Sequence, residues 1–186
     1  TLMGETIDGE IIEGEDNLTK SNKKYKKIYY KEIPHVEKEV ITKIKEADLI
    51  ILSMGSLYTS ILPHLLCDEV VEEITKSKAK IMYLCNAMTQ PGETDNFGVS
   101  DHIKVLEQYL GENKIDVVVA SNTKINPKVL KKYEVEEQKD PVIIDYDKIK
   151  EMNVELIEDN LLTIVDGTIR HNSLKLSSII FSYLMR

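Results

Sequence analysis

The chain has 186 residues, 42% hydrophobic and 30% charged, which suits one globular domain with a packed core and excludes a disordered segment. Its 24 Lys+Arg stand against 32 Asp+Glu, a formal net charge of -8, so a nucleic-acid backbone or an anionic membrane meets a repulsive field and neither is an expected partner. No apolar run reaches the ~18–20 residues that span a bilayer, the start at Thr1 lacks signal-peptide character, and Cys67 and Cys85 offer neither a disulfide framework nor zinc spacing, so a cytoplasmic protein with buried thiols and no membrane insertion is expected.

In chain order, Asp8-Gly9 lies between short β-prone runs over 5–13, the signal of a tight hairpin turn, and predicts a small N-terminal β-ribbon. A further strand is expected over 27–31, and the scattered lysines of Lys20 to Lys31 are expected to be solvated. Pro34 to Glu46 reads as a helix with Val36, Val40, Ile41 and Ile44 on one face. Ala47 to Ser53 is a continuous apolar run of strand length, suited to a parallel strand buried on both faces. The chain then turns at Gly55 and becomes helical to Leu65, with another helix over 68–76 and a second buried strand over 80–86, a βαβ pattern. A loop from Ala87 to Val99, a helix over about 101–110 and a third central strand over 116–120 follow. Pro141 to Asp145 and Leu161 to Val165 are expected as fourth and fifth strands, before a final amphipathic helix capped at Asn172 or Ser173. The expected architecture is α/β: a Rossmann-like, mostly parallel sheet with flanking helices, in one domain over 1–186 with no internal repeat.

In such a sheet ligands gather beyond the carboxyl ends of the strands, where three polar stretches fall. In Ser53 to Ser60, Gly55 allows close backbone approach, and hydroxyls with free N–H groups at a helix start suit a phosphate; the plain alternative is an N-capped turn. The Gly-Lys-Ser/Thr ending of a Walker loop is missing. Asn86 to Asp95 can read a base, sugar or phosphate by hydrogen bonds. Its acids Glu93 and Asp95 could hold Mg²⁺ or exchange protons, although lone acids in loops usually face solvent. Ser121 to Lys124 repeats the pattern, with Asn122 as a polar contact and Lys124 as a phosphate-neutralising cation. Arg170, one of two arginines, stands at a helix entrance where its forked guanidinium suits a phosphate or carboxylate. Of His35, His64, His102 and His171 none shows metal-ligand spacing, and only His171 is expected near the site.

Four motifs carry a resemblance: Ala47 to Pro63, Cys85 to Asp95, Ser100-Asp101-His102, and Arg170-His171-Asn172. Together they resemble the bacterial gluconeogenesis factor family, homologous to 2-phospho-L-lactate transferase of coenzyme biosynthesis, and they run from about Asp8 to the C-terminus. The resemblance implies nucleotide-sugar binding and a cytoplasmic regulatory role in carbon metabolism, cell shape and envelope precursor synthesis, with a UDP-sugar such as UDP-N-acetylglucosamine as ligand. On it Gly55, Ser56, Tyr58 and Thr59 face phosphate or sugar, Asn86, Thr89 and Asp95 line the cleft, and Arg170 contacts the nucleotide sugar. This chain departs from the family where Ser53-Met54-Gly55-Ser56 replaces the usual Gly-Pro-Gly-Ser, and it lacks the glycine-rich loop with which members begin. It therefore resembles the C-terminal part of a longer member. The alternative reading is a Mg²⁺-dependent phosphotransferase like 2-phospho-L-lactate transferase; no catalytic residue is identifiable from the sequence, and a homodimer is expected.

Overall fold

The computed structural model describes residues Thr1–Arg186. Strands β1 (Leu2–Thr6) and β2 (Ile11–Glu13) pair antiparallel around Gly9, whose φ of 86° lies in the left-handed region, and β3 (Tyr25–Tyr30) pairs antiparallel on the other side of β1. The expected ribbon is thus the three-stranded sheet β2-β1-β3, with α1 (Glu15–Lys20) between β2 and β3. Leu2, Leu18, Tyr25 and Ile28 anchor it in the main core. The basic run is surface: Lys20, Lys23, Lys26, Lys27 and Lys31 pair with acids of the same lobe.

Helix α2 (Lys38–Glu46) starts four residues after Pro34 and leads into β4 (Leu49–Leu52). A π-type turn over Leu57–Ile61, then α3 (Leu62–Leu65) and α4 (Asp68–Lys76), cross to β5 (Lys80–Leu84). Helix α5 (Val99–Leu110) crosses to β6 (Val117–Ser121). After β6 come α6 (Pro127–Lys132), a π-type turn over Tyr133–Glu137 and α7 (Tyr146–Lys150), then β7 (Glu155–Asp159). These strands form a parallel sheet in the order β4-β5-β6-β7. Antiparallel β8 (Leu162–Val165) and β9 (Thr168–His171) make a separate hairpin before α8 (Ser173–Leu184), which Asn172 caps by accepting a bond from the Lys175 N–H at 3.1 Å.

The apolar strands earn their central places through burial on both faces. Ile81, Tyr83, Cys85, Val118 and Ala120 point toward α3, α4 and α5; Met82, Leu84, Val117 and Val119 point toward α8. Three expectations change. β4 is an edge strand with Ile51 exposed, so its apolar run is covered on one side of the ladder only. The fourth parallel strand is β7, which takes the place beside β6, while Pro141 to Asp145 makes only isolated bridges, to Met88 and Gly98. Leu161 to Val165 joins a hairpin instead of the sheet, because Asp166-Gly167, both at positive φ, turn the chain straight back. No helix is long and apolar enough to cross a membrane.

Candidate functional site

Because β4, β5 and β6 are parallel neighbours, the segments after Leu52, Leu84 and Ser121 leave the sheet at one edge. The three polar stretches therefore converge there. Two of them are tied together: the Asn86 amide donates to the Gly55 carbonyl at 2.9 Å while its oxygen accepts from the Tyr83 hydroxyl at 2.9 Å. Burial pushes the Tyr83 phenol well up, which keeps it a neutral donor.

Glu93 makes the second tie. It is 7% exposed and accepts from the Ser56 hydroxyl at 2.6 Å, the Tyr58 N–H at 3.3 Å and the Gln90 amide at 2.7 Å. Burial raises its pKa against the opposing pull of the Ser56 and Tyr58 bonds. The expectation that such an acid faces solvent is thus overturned. Ser56 also accepts from the N–H and hydroxyl of Thr59, at 3.2 and 2.7 Å, and buried Thr59 accepts from the Thr19 hydroxyl at 3.2 Å. Ser56, Thr59 and Glu93 form an internal clasp beneath the loop surface. Half-buried Tyr58 leans against Tyr25 with ring centroids 6.4 Å apart.

Buried Thr89 exchanges bonds with the Asp140 backbone at 2.7 and 2.9 Å and so fastens the loop to the 140s segment. Asp95 accepts from the Gly92 N–H at 3.0 Å; Gly92 has φ of 79°, and a Cβ there would strike the Asn22–Lys23 backbone, so only glycine brings the loop this close to the ribbon. With Glu93 holding three donors and Asp95 turned onto Gly92, the two acids do not fit a Mg²⁺ site, and no group of three or more His, Cys, Asp or Glu side chains is placed to hold a metal.

The hairpin closes over the same edge. The Leu161 N–H donates to Ser121 Oγ at 3.3 Å, and His171 Nε2 lies 3.3 Å from the Cys85 carbonyl. Burial lowers the His171 pKa, so its ring is neutral at pH 7 and donates from Nε2. His171 thus lies at the same edge of the sheet as the polar loops. His102 is fully buried between Tyr83 and Phe97, and His35 and His64 are exposed. Arg170 is exposed, in no ion pair, and on the face of β9 opposite His171. Asn122 and Lys124 are exposed after β6, and neither side chain has a protein partner. Asn122 and Lys124 thus leave an amide and an ammonium free near the edge, a donor pair suited to phosphate, while Arg170 stands apart from them on the outer face of β9.

Sequence reasoning missed the roles of Tyr83, Ser100 and Asp145. Asp145 accepts from the Ser100 N–H at 2.9 Å and from its hydroxyl, holding the start of α5; burial pushes its pKa up, but the Ser100 bonds, with its own backbone N–H and Lys148, outweigh that and leave it lowered. No local signal pairs residues 45 positions apart.

Comparison with known proteins finds the family model described as "2-phospho-L-lactate transferase CofD" matching residues 1–162. The gluconeogenesis factor of Bacillus subtilis (strain 168) is 38% identical over 98% of this chain and 58% of its own length. The putative gluconeogenesis factor of Thermotoga maritima is 42% identical over 96% of this chain and 57% of its length. A crystal structure of protein BH3568 from Bacillus halodurans, 37% identical, superposes with a TM-score of 0.90 over 97% of this chain and 58% of that one. The chain thus spans 58% or less of these relatives.

Proposed function

Because the chain belongs to the 2-phospho-L-lactate transferase CofD family, we propose that it is a nucleotide-sugar-binding regulatory protein whose ligand, a UDP-sugar such as UDP-N-acetylglucosamine, lies across the carboxyl ends of β4, β5 and β6. The role is cytoplasmic, in a bacterium, and affects carbon metabolism, cell shape and envelope precursor synthesis without turnover. The observation that carries the reading is the convergence of three polar loops at one sheet edge, two of them cross-tied through Glu93 and Asn86. Asn122 and Lys124 stay unpaired beside it as donors for a diphosphate, and Arg170, on the outer face of β9, is the donor that the family resemblance adds. Gly55, Ser56, Tyr58, Thr59, Asn86, Thr89 and Asp95 shape the cleft; several act through the backbone they hold, since their side chains already have protein partners. The relatives named gluconeogenesis factor support a regulatory reading. The reading includes a homodimeric state.

Calorimetry of the protein at its natural length with UDP-N-acetylglucosamine tests it, and no heat at millimolar ligand removes it. Arg170→Ala is expected to weaken that binding by ~1.5–3 kcal/mol, the worth of a charge-assisted hydrogen bond; unchanged affinity takes Arg170 out of the site.

The family model's own description favours a second reading, a phosphotransferase like 2-phospho-L-lactate transferase. Glu93 and Asp95 do not fit its Mg²⁺, and no step is derived through the metal. Product formation from a nucleotide-activated donor and an alcohol acceptor would establish transfer.

A further inference from the structure

Glu93 takes the donors that a ligand's phosphate would use. The Ser56 hydroxyl and the Tyr58 N–H, after β4, donate to one of its oxygens at 2.6 and 3.3 Å, and the Gln90 amide, after β5, donates to the other at 2.7 Å. Polar loops beyond a parallel sheet otherwise offer such donors to an anion. The direction of the bonds fixes the charge. Ser56 Oγ already accepts from the Thr59 N–H and hydroxyl, and the Thr59 hydroxyl accepts from Thr19, so the Ser56 proton is left for Glu93, whose oxygens meet donors only. A carboxylate so held is an internal anion. At 7% exposure it lies just beneath the loop surface, where its charge is poorly screened from a group seated above it.

The loops around Glu93 add to its sign. Residues 53–60 and 86–95 contain no lysine, arginine or histidine, and Asp95 is a second acid. On the other side of β5 the charge reverses. Lys124, Lys128 and Lys131 follow β6, all exposed and in no ion pair, and Asp159 at the end of β7 is taken by Lys175 at 3.7 Å. Neighbouring strands lie ~4.8 Å apart, so the ends of β4 and β6 are separated by about 10 Å across β5. Different groups of one ligand therefore meet opposite fields in the two halves of the cleft.

We propose that Glu93 is a specificity residue: it closes the β4–β5 half of the cleft to phosphate and leaves that half to an uncharged sugar, while the diphosphate lies toward Asn122 and Lys124. The site thereby selects a nucleoside diphosphate that carries a neutral group over a nucleoside triphosphate, whose third phosphate is set against Glu93. Repulsion between like charges separates two ligands that share their nucleoside and their first two phosphates. This orientation rests on the proposed nucleotide-sugar reading and goes beyond it by assigning the choice of ligand to one side chain.

Calorimetry of the protein at its natural length compares UDP-N-acetylglucosamine with UTP, in EDTA so that no Mg²⁺ shields the phosphates. Wild type is expected to bind the nucleotide sugar more tightly. Glu93→Gln keeps the shape of the side chain and removes its charge, and is expected to raise UTP affinity relative to that of the nucleotide sugar by about tenfold. Ser53→Lys sets a cation in the same half at an exposed position, so it is expected to fold as wild type does and to move the ratio the same way; it decides the matter alone if Glu93→Gln does not fold. Lys124→Ala is expected to weaken both nucleotides alike. Wild type that binds UTP as tightly as the nucleotide sugar, or a ratio that neither Glu93→Gln nor Ser53→Lys moves, overturns the exclusion while the nucleotide-sugar reading stands. A Lys124→Ala loss confined to UTP overturns the orientation. Wild type that binds neither nucleotide removes that reading, and this inference with it.

Discussion

Glu93 accepts three hydrogen bonds and meets no cation, so its ionised form is held by donors alone in a buried site. Burial raises its pKa above the ordinary 4.5, which means the folded protein keeps a proton that the unfolded chain has lost. In the window between 4.5 and the raised folded value, stability therefore falls as pH rises. Compared with Glu93→Gln, whose amide stays neutral, wild type should gain stability as pH drops from neutrality toward that window. Thermal melts of both proteins at two pH values check this, and a gap that does not move with pH removes the buried charge from the account. The residue types of the site loops were legible in the sequence, because short polar side chains after an apolar strand announce a turn at the sheet edge. Which of them face inward was not. Ser56, Thr59, Thr89 and Glu93 are consumed by partners such as Thr19 and Asp140 that only folding brings near.

At the scale of elements, α5 depends on a segment from beyond β6. Gly98 leads into it with an N–H donated to Asp101 at 3.0 Å, and Asp145 accepts from the N–H and hydroxyl of Ser100. A carboxylate so placed caps the helix and favours its positive end. Asp145→Ala is expected to destabilise the protein by ~1–2 kcal/mol, the usual worth of a cap. Chemical denaturation reads that loss, and a variant as stable as wild type would show α5 capped by other means. The strap holding Asp145 reads as a strand because Val142 and Ile144 alternate with exposed Ile143, as they do in the structure. Alternation reports one buried side; it does not say whether that side lies on a sheet or on a loop. The position beside β6 went to β7, whose Leu156 and Ile157 are flanked by acids and look weaker as a strand.

On the whole-molecule scale, the helices α3, α4 and α5 on one face and α8 on the other share β5 and β6, so the two apolar clusters are expected to open together. Met82→Ala and Ile103→Ala, one in each cluster, are each expected to cost ~2–5 kcal/mol and to shift a single cooperative transition. Two transitions, or one probe that fails to move, would separate the layers. The sequence alone determined the βαβ order, the buried strands, the N-terminal ribbon turn and the family motifs, because period, turn chemistry and residue type act over a few neighbouring positions. Tertiary structure alone decided that β4 is an edge, that Glu93 and Asp145 are buried hubs, that Arg170 points outward, and that α8 keeps a second apolar side. Each of these depends on which distant segment fills the adjacent space, and competition for that space is settled by packing across the whole chain.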